Sequence, residues 1–596
     1  MNMINERLQS VRIEMQRLGL DALIVRTEDP HCSEYPANHW KFREYLSGFD
    51  GSQGILVITL QHAGLWVDSR YYIQAEQQTK DVSIDVFKDG LAGVPSYADW
   101  ITYTLPSEAT CGVDGFTIPY AEYKILRNKL SLFGIHIEYK VNIMDELFLE
   151  REDLPLNDIL EMDYSLNQLT RAEKVALVRK EMLRINATHY LVSSLDSIAW
   201  LMNMRGTDVE FNPVFYAYMI VTATEEHLYI DPHKLTSVIS RRLDEEGIKV
   251  SLYSHFEKNI SNLPSGSRVM FDPDKTNARN VLSLPASVYK IEQQCIIEQI
   301  KAVKTVNEIS HIESAHIRDG HAMVKLLYWL SKEYESGAQL TELGVAEKLH
   351  EIRSREQLFI SESFGSISAF GKNGAIIHYE PTDSSNAPIN GNGFLLLDTG
   401  AQYADGTTDI TRTIALGDVE LQSAIDYTLV LKGHIALAKA IFPEETHASQ
   451  LDTLARMAMW NHCIDYGHGT GHGVGFFLNV HEGPQRIGKR DNGSVMKAGM
   501  ITSNEPGIYR EGRWGVRIEN LMVCEEAGRS SFGNFLKHRI LTICPIDKNP
   551  ILIDMLTDEE IQWLNDYHKI VFNTLSPLFD GDELVWLRDA TDAISR

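Results

Sequence analysis

Leu395-Leu396-Leu397-Asp398-Thr399-Gly400, followed by Asp405-Gly406-Thr407-Thr408-Asp409-Ile410-Thr411-Arg412-Thr413, decides how this chain is read. Two apolar, Thr-rich runs flank a Gly-containing turn, the pattern of a β-hairpin with one carboxylate on each arm. Far downstream, Ser503-Asn504-Glu505-Pro506-Gly507 and Val516-Arg517-Ile518-Glu519-Asn520 repeat the arrangement with Glu in place of Asp, setting four carboxylates on two hairpins. Between the hairpins lie Gly467-His468-Gly469-Thr470-Gly471-His472-Gly473-Val474-Gly475 and then Asn479-Val480-His481-Glu482-Gly483-Pro484. The alternating glycines predict positive φ and close backbone approach in a tight loop that presents imidazoles inward.

No register of the glycines gives G-x-G-x-x-G, so the run is not a dinucleotide fingerprint. Oxygen donors with one imidazole suit a hard or borderline divalent ion such as Mn²⁺ better than a thiolate-loving one. Two carboxylates able to bridge would hold two ions roughly 3.5–4 Å apart. Taken singly, Asp398 before Thr-Gly reads as a turn residue, and a histidine in a glycine-rich loop reads as a hydrogen-bonded one. The order Asp398, Asp409, His472, Glu505, Glu519, each in its local context, is similar to one family. It resembles the pita-bread metallopeptidases, most closely their aminopeptidase P (Xaa-Pro aminopeptidase) branch. The resemblance implies two metal ions, with Asp409 and Glu519 bridging, Asp398 on one ion, and His472 and Glu505 on the other.

Working outward, the first part of the chain is duplicated. Leu8, Val11, Met15 and Leu18 lie at helical spacing, and Val175, Val178, Met182 and Ile185 reproduce it. An apolar strand follows each helix, Ala22-Leu23-Ile24-Val25 and His189-Tyr190-Leu191-Val192, and a further strand comes later in both, ending at Asp68 and Asp231. Two related α/β domains are predicted, and both resemble the N-terminal domains of the long aminopeptidase P enzymes. There the residue matching Arg70 reaches substrate; by itself Arg70 reads as a surface ion-pair residue. Residues 305–337 predict a long helix, with Asp319-Gly320 marking a local irregularity rather than a stop. His378 ends the apolar run after Phe370; it reads as a core histidine alone and as an active-site residue by resemblance. Thr557-Asp558-Glu559-Glu560 is a capping box opening a C-terminal segment that reads as a separate appendage used in dimer formation, or as a helix closing the catalytic core.

The expected architecture is α/β: two related creatinase-like α/β domains (1–160 and 161–308), a pita-bread α+β catalytic domain (309–540) and a C-terminal extension (541–596). A formal net charge of −26 excludes general nucleic-acid binding, which needs a basic footprint. No apolar run approaches membrane-spanning length, and the N-terminal residues lack the pattern of a secretory signal, so a cytoplasmic protein without membrane partners is expected. Cys32, Cys111, Cys295, Cys463, Cys524 and Cys544 form no C-x-x-C pair and read as reduced, mostly core residues.

The resemblance implies a metal-dependent aminopeptidase that releases the first residue of peptides with proline second, by attack of a hydroxide shared between two divalent ions, most readily Mn²⁺. Glu505 would move the proton, His378 and His481 would bind substrate and the developing oxyanion, and His468 would line the pocket beside them. A homodimer is implied as well. Prolidase has the same centre but takes dipeptides. Creatinase does not keep all five ligands, and the non-enzymatic pita-bread scaffolds have a degraded constellation; this chain retains all five.

Overall fold

Leu8, Val11 and Met15 are fully buried along the helix Asn2–Leu18, and Val175, Val178 and Met182 are likewise sealed along Arg171–Arg184. The fourth residue of each stripe does not join the core. Leu18 ends its helix and is 41% exposed, and Ile185 lies one residue past its own and is only half-buried, because the helical face stops at both places. The structure is a computed structural model and describes residues 2–596.

It divides into two compact units. The first runs to Tyr164 and resumes over Leu169–Ile297; the second comprises Ser165–Gln168 and Glu298–Arg596.

The duplication extends to topology. In the first half of the first unit, Ala22–Arg26 pairs antiparallel with Ile55–Thr59 and parallel with Thr110–Val113. In the second half, His189–Val192 pairs antiparallel with Ala217–Thr222 and parallel with Arg268–Phe271. The next antiparallel strand (Ala63–Val67, Glu226–Ile230) and two parallel edge strands complete each six-stranded sheet in the same order. The central strands of these mixed sheets are buried over all but at most one terminal residue each.

In the second unit the long helix is Val306–Ser336, opened by a Thr305–Glu308 capping box and closed by Gly337 at φ 76°. No irregularity occurs at Asp319-Gly320, contrary to the sequence expectation. Asp319 accepts from Arg353 Nε at 2.9 Å, and Gly320 lets a neighbouring segment pack onto the helix, since a Cβ there would lie 2.1 Å from Ile543 O. The pair is a packing feature.

Two antiparallel sheets carry the motifs. One contains Ile367–Phe370, Gly393–Thr399 and Ile410–Leu416; the other contains Gly471–Gly473, Glu482–Ile487, Ile501–Asn504, Asn520–Ser530 and Gly533–Ile540 with the edge strand Ile441–Pro443. The penultimate helix Asp558–Leu575, followed by Gly581–Thr591, begins at the Thr557–Glu560 box and buries Leu564, Tyr567, Val571 and Leu575 in one cluster with Val516 and Ile518. It packs into the core of the second unit. Its Tyr567 hydroxyl lies 3.0 Å from Arg412 Nη2, and the same guanidinium donates to the backbone oxygens of Glu519, Cys544 and Pro545.

Candidate metal centre

Each hairpin has an outer ladder and a small inner one, and its carboxylates stand where the two meet. Gly393–Thr399 pairs with Ile410–Leu416 as far as Thr399↔Ile410, and residues 401–407 form a second, tight hairpin beyond it. Ile501–Asn504 pairs with Asn520–Ser530 as far as Asn504↔Asn520, and Gly507–Arg510 pairs with Trp514–Arg517 beyond it. Asp409, Glu505 and Glu519 each sit one residue outside an outer ladder, and Asp398 one residue inside, so all four stand at the ladder junctions.

His472 lies mid-strand in Gly471–Gly473, not in a loop, and none of Gly467, Gly469, Gly471, Gly473 and Gly475 has positive φ. The expectation of left-handed glycines is therefore corrected: Gly471 and Gly473 are small because other backbone crosses them. A Cβ on Gly471 would lie 2.1 Å from Ser503 O, and one on Gly473 would lie 2.5 Å from Glu482 O.

His472 Nδ1 is 3.0 Å from Gly473 O, which leaves Nε2 facing inward, 3.4 Å from Glu505 Oε1 and 3.6 Å from Asp409 Oδ2. Ligand atoms of Asp409, His472 and Glu519 all lie within 4.8 Å of one another. Glu519 Oε2 accepts from Thr411 Oγ1 at 2.9 Å, and Asp398 Oδ2 from Arg517 Nη2 at 2.6 Å. The remaining oxygens, Glu519 Oε1 and Asp398 Oδ1, are buried with no hydrogen-bond partner. Buried carboxylate oxygens left this way are costly unless a cation meets them.

Burial and mutual repulsion push Asp409 and Glu519 well above the usual carboxylate range, and enclosure raises Glu505 to about 7 against the pull of Arg517. The donor set, mostly oxygen with one imidazole, fits divalent ions of the Mn²⁺ kind. A prediction follows for chelator-treated protein. Carboxylates with raised folded pKa values contribute stability below their unfolded values and lose it as pH rises through the folded ones. The melting temperature should therefore fall between about pH 5 and pH 8, and added Mn²⁺ should reverse the fall. Equal melting at both pH values under chelation would contradict the assigned charge cluster.

The auxiliary histidines flank this set. The His481 ring stands edge-on to His472 with centroids 4.4 Å apart. His468 Nε2 is 2.8 Å from Tyr509 OH, whose oxygen also accepts from Arg517 Nη1 at 2.7 Å. His378 is half-buried in the turn after Gly371–Ala375, and the carbonyl preceding it, Ile377 O, is 3.4 Å from Arg517 Nη2. Arg70 belongs to the first unit, where Asp68 and Glu34 hold its guanidinium at 2.8 and 3.3 Å, the ion-pair role that its sequence suggests.

Sequence reasoning passed over Arg517, although it stands in the quoted motif. Only 2% exposed, it joins Asp398, Thr411 Oγ1 and Tyr509, the one signal available beforehand being its fixed place two residues before Glu519. Also missed was Arg456, fully buried, which holds Asp452, Asp465 and the carbonyls of Tyr466 and His468 and so sets the entry to the Gly-rich segment.

Comparisons with known proteins extend over the whole chain. Residues 310–526 match metallopeptidase family M24, and residues 534–594 match the C-terminal region of peptidase M24. Residues 7–137 and 150–308 each match a creatinase/prolidase N-terminal domain. A probable Xaa-Pro aminopeptidase P from Laccaria bicolor is 38% identical over 600 residues, 98% of this chain and 92% of its own. The Xaa-Pro aminopeptidase ApepP of Drosophila melanogaster is 38% identical over 593 residues, covering 97% and 96%. Among solved structures, the X-prolyl aminopeptidase of Caenorhabditis elegans, described as a cytosolic enzyme with a di-nuclear active site, matches with a TM-score of 0.96 at 33% identity, covering 99% of this chain and 100% of that one.

Proposed function

Since the chain belongs to the Xaa-Pro aminopeptidase P family of M24 metallopeptidases, we propose that its centre removes the first residue from peptides with proline in second position, through the residues described above. It is a metal-dependent aminopeptidase whose centre takes two divalent metal ions. The observation that carries the residue-level reading is the convergence of Asp409, His472 and Glu519 ligand atoms within 4.8 Å, with unpartnered oxygens of Asp398 and Glu519 beside them.

Asp398, Asp409, His472, Glu505 and Glu519 would hold the ions, with Mn²⁺ as the proposed pair. Bound there, the pair supplies Lewis acidity toward a carbonyl oxygen and brings the pKa of water toward neutrality.

The chain's own groups do the rest. Glu505, half-buried and oriented by Ser503 Oγ at 3.2 Å, takes the proton of the attacking water and returns it to the leaving proline nitrogen. His481, against His472, and His378 bind the substrate and the developing oxyanion, while His468 lines the pocket with Tyr509 behind it. An Xaa-Pro bond lacks the N–H that general peptidases use, and its ring fixes φ; a pocket edged by His468 and His481 turns that rigidity into selectivity.

The division into 1–160, 161–308, 309–540 and 541–596, a homodimer in which Arg70 reaches substrate, and a cytoplasmic location complete the proposal. The location is supported by the cytosolic relative from C. elegans. No helix among the described residues is long and apolar enough to cross a membrane.

The test strips the metals, adds back Mn²⁺, Co²⁺ or Zn²⁺ separately, and follows release of the first residue from Ala-Pro-Ala and Ala-Ala-Ala. Cleavage of the first peptide alone, restored best by Mn²⁺, is expected. Equal cleavage of both would refute the selectivity, and hydrolysis confined to the dipeptide Ala-Pro would make the enzyme a prolidase.

A further inference from the structure

Glu482 follows His481 and opens the strand Glu482–Ile487, paired with Gly473 beside His472. Its side chain is 1% exposed, and Oε2 lies 2.6 Å from Lys301 Nζ and 3.7 Å from Lys304 Nζ, two ammonium groups as thoroughly sealed as the carboxylate. Two buried cations on one buried carboxylate are expensive to desolvate and, as stability alone, are often matched by apolar side chains. The chemistry described above uses none of the three.

Their surroundings suggest what the arrangement does. Glu482 Oε1 packs on Gly475, where a Cβ would come within 2.7 Å of it, and Glu298 packs on Gly483, where a Cβ would lie 2.4 Å from Oε1. Backbone holds the lysines in turn. Lys304 N donates to Gly499 O at 2.9 Å, Val303 bridges to Met500, and Lys304 Nζ donates to Lys301 O at 2.9 Å. Gly499 and Met500 lead directly into Ile501–Asn504, the strand that ends one residue before Glu505. The segment 301–304 therefore ties the strand leading to Glu505 to the residue that follows His481.

We infer that Lys301 is a positioning residue, its ion pair with Glu482 fixing the His481 loop against His472 so that the imidazole meets the substrate in one orientation. Lys304 stands behind it, holding the Lys301 backbone and adding the second charge. The inference rests on the reading that His481 contacts the substrate. A displacement of about 1 Å in such a group costs on the order of 100-fold in rate.

The experiment uses the full chain loaded with Mn²⁺ and Ala-Pro-Ala as substrate, with K301M, K301R and H481A measured singly, and K301M combined with H481A. K301M is expected to lower kcat on the order of 10- to 100-fold with KM and metal content unchanged. K301R, which keeps the charge, should recover most of the loss. In the H481A background K301M should cost nothing further, because residues acting as one unit are not additive. Wild-type kcat in K301M, or losses from K301M and H481A that multiply, would overturn the assignment to positioning. If K301M fails to fold, E482Q is read by the same criteria. A wild-type protein that binds no metal or spares Ala-Pro-Ala refutes the underlying function and this inference with it, whereas an active wild type with an indifferent K301M removes the clamp alone.

Discussion

Asp409→Asn should abolish hydrolysis of Ala-Pro-Ala, lowering kcat/KM by on the order of 1000-fold, because metal centres contribute several kcal/mol to the transition state and each ~1.4 kcal/mol is tenfold in rate. Asp409 is 4% exposed, stands where the two ladders of the first hairpin meet, and lies with His472 and Glu519 in one cluster of candidate donors. Asparagine keeps its shape but removes the charge that the proposal places against the metal ions. Metal content should fall in parallel with activity. The metal-free variant should nonetheless melt at a higher temperature than metal-free wild type near neutral pH, because one member of a mutually repelling buried set is gone. Opposite signs for metal-loaded activity and metal-free stability separate a ligand from an ordinary core residue. A variant that holds both ions and turns over normally would remove Asp409 from the centre.

The second large effect is expected at Arg517. Its guanidinium is 2% exposed and donates to Asp398 at 2.6 Å, Tyr509 OH at 2.7 Å and Thr411 Oγ1 at 3.2 Å, thereby touching both hairpins and the hydroxyl behind His468. Arg517→Met leaves Asp398 buried among carboxylates without its cation. Breaking a buried pair from one side costs about 3–5 kcal/mol, to be read as a drop in the denaturation midpoint of the chelator-treated protein, where no metal ion replaces the lost charge. Loss of a group that orients a metal ligand costs about 10- to 100-fold in activity or metal affinity. Arg517→Lys should fall between, since an ammonium supplies charge without the planar fork. Unchanged midpoint and turnover in Arg517→Met would show that Asp398 is held by something else.

The strand positions of the candidate carboxylates were legible because they are local. A hairpin that ends in Asp or Glu is recorded in adjacent residues, and strand pairing places such residues at the junction of two ladders. The duplication was legible for the same reason: helix and strand periodicities repeat within short windows, and the two sheets share one strand order. What misled was reading a local pattern as a local cause. Alternating glycines suggested left-handed turns, but Gly471 and Gly473 are small because Ser503 and Glu482 cross them, segments that nothing in the run itself announces. The Asp319-Gly320 pair likewise belongs to Arg353 and Ile543 and not to a break in its own helix.

The amino-acid order by itself determined the chemistry on offer: four carboxylates in hairpin contexts with a histidine in the Gly-rich run between them, a duplicated α/β half, and no basic face. Only the tertiary structure decided which charges are balanced and by what. Arg517 beneath Asp398, Lys301 beneath Glu482 and the Arg412–Tyr567 tie that brings the penultimate helix into the core join residues remote along the chain. The physical reason is that a buried charge is tolerated only beside its counter-charge, and burial is a property of packing between distant segments, which short-range periodicity does not encode.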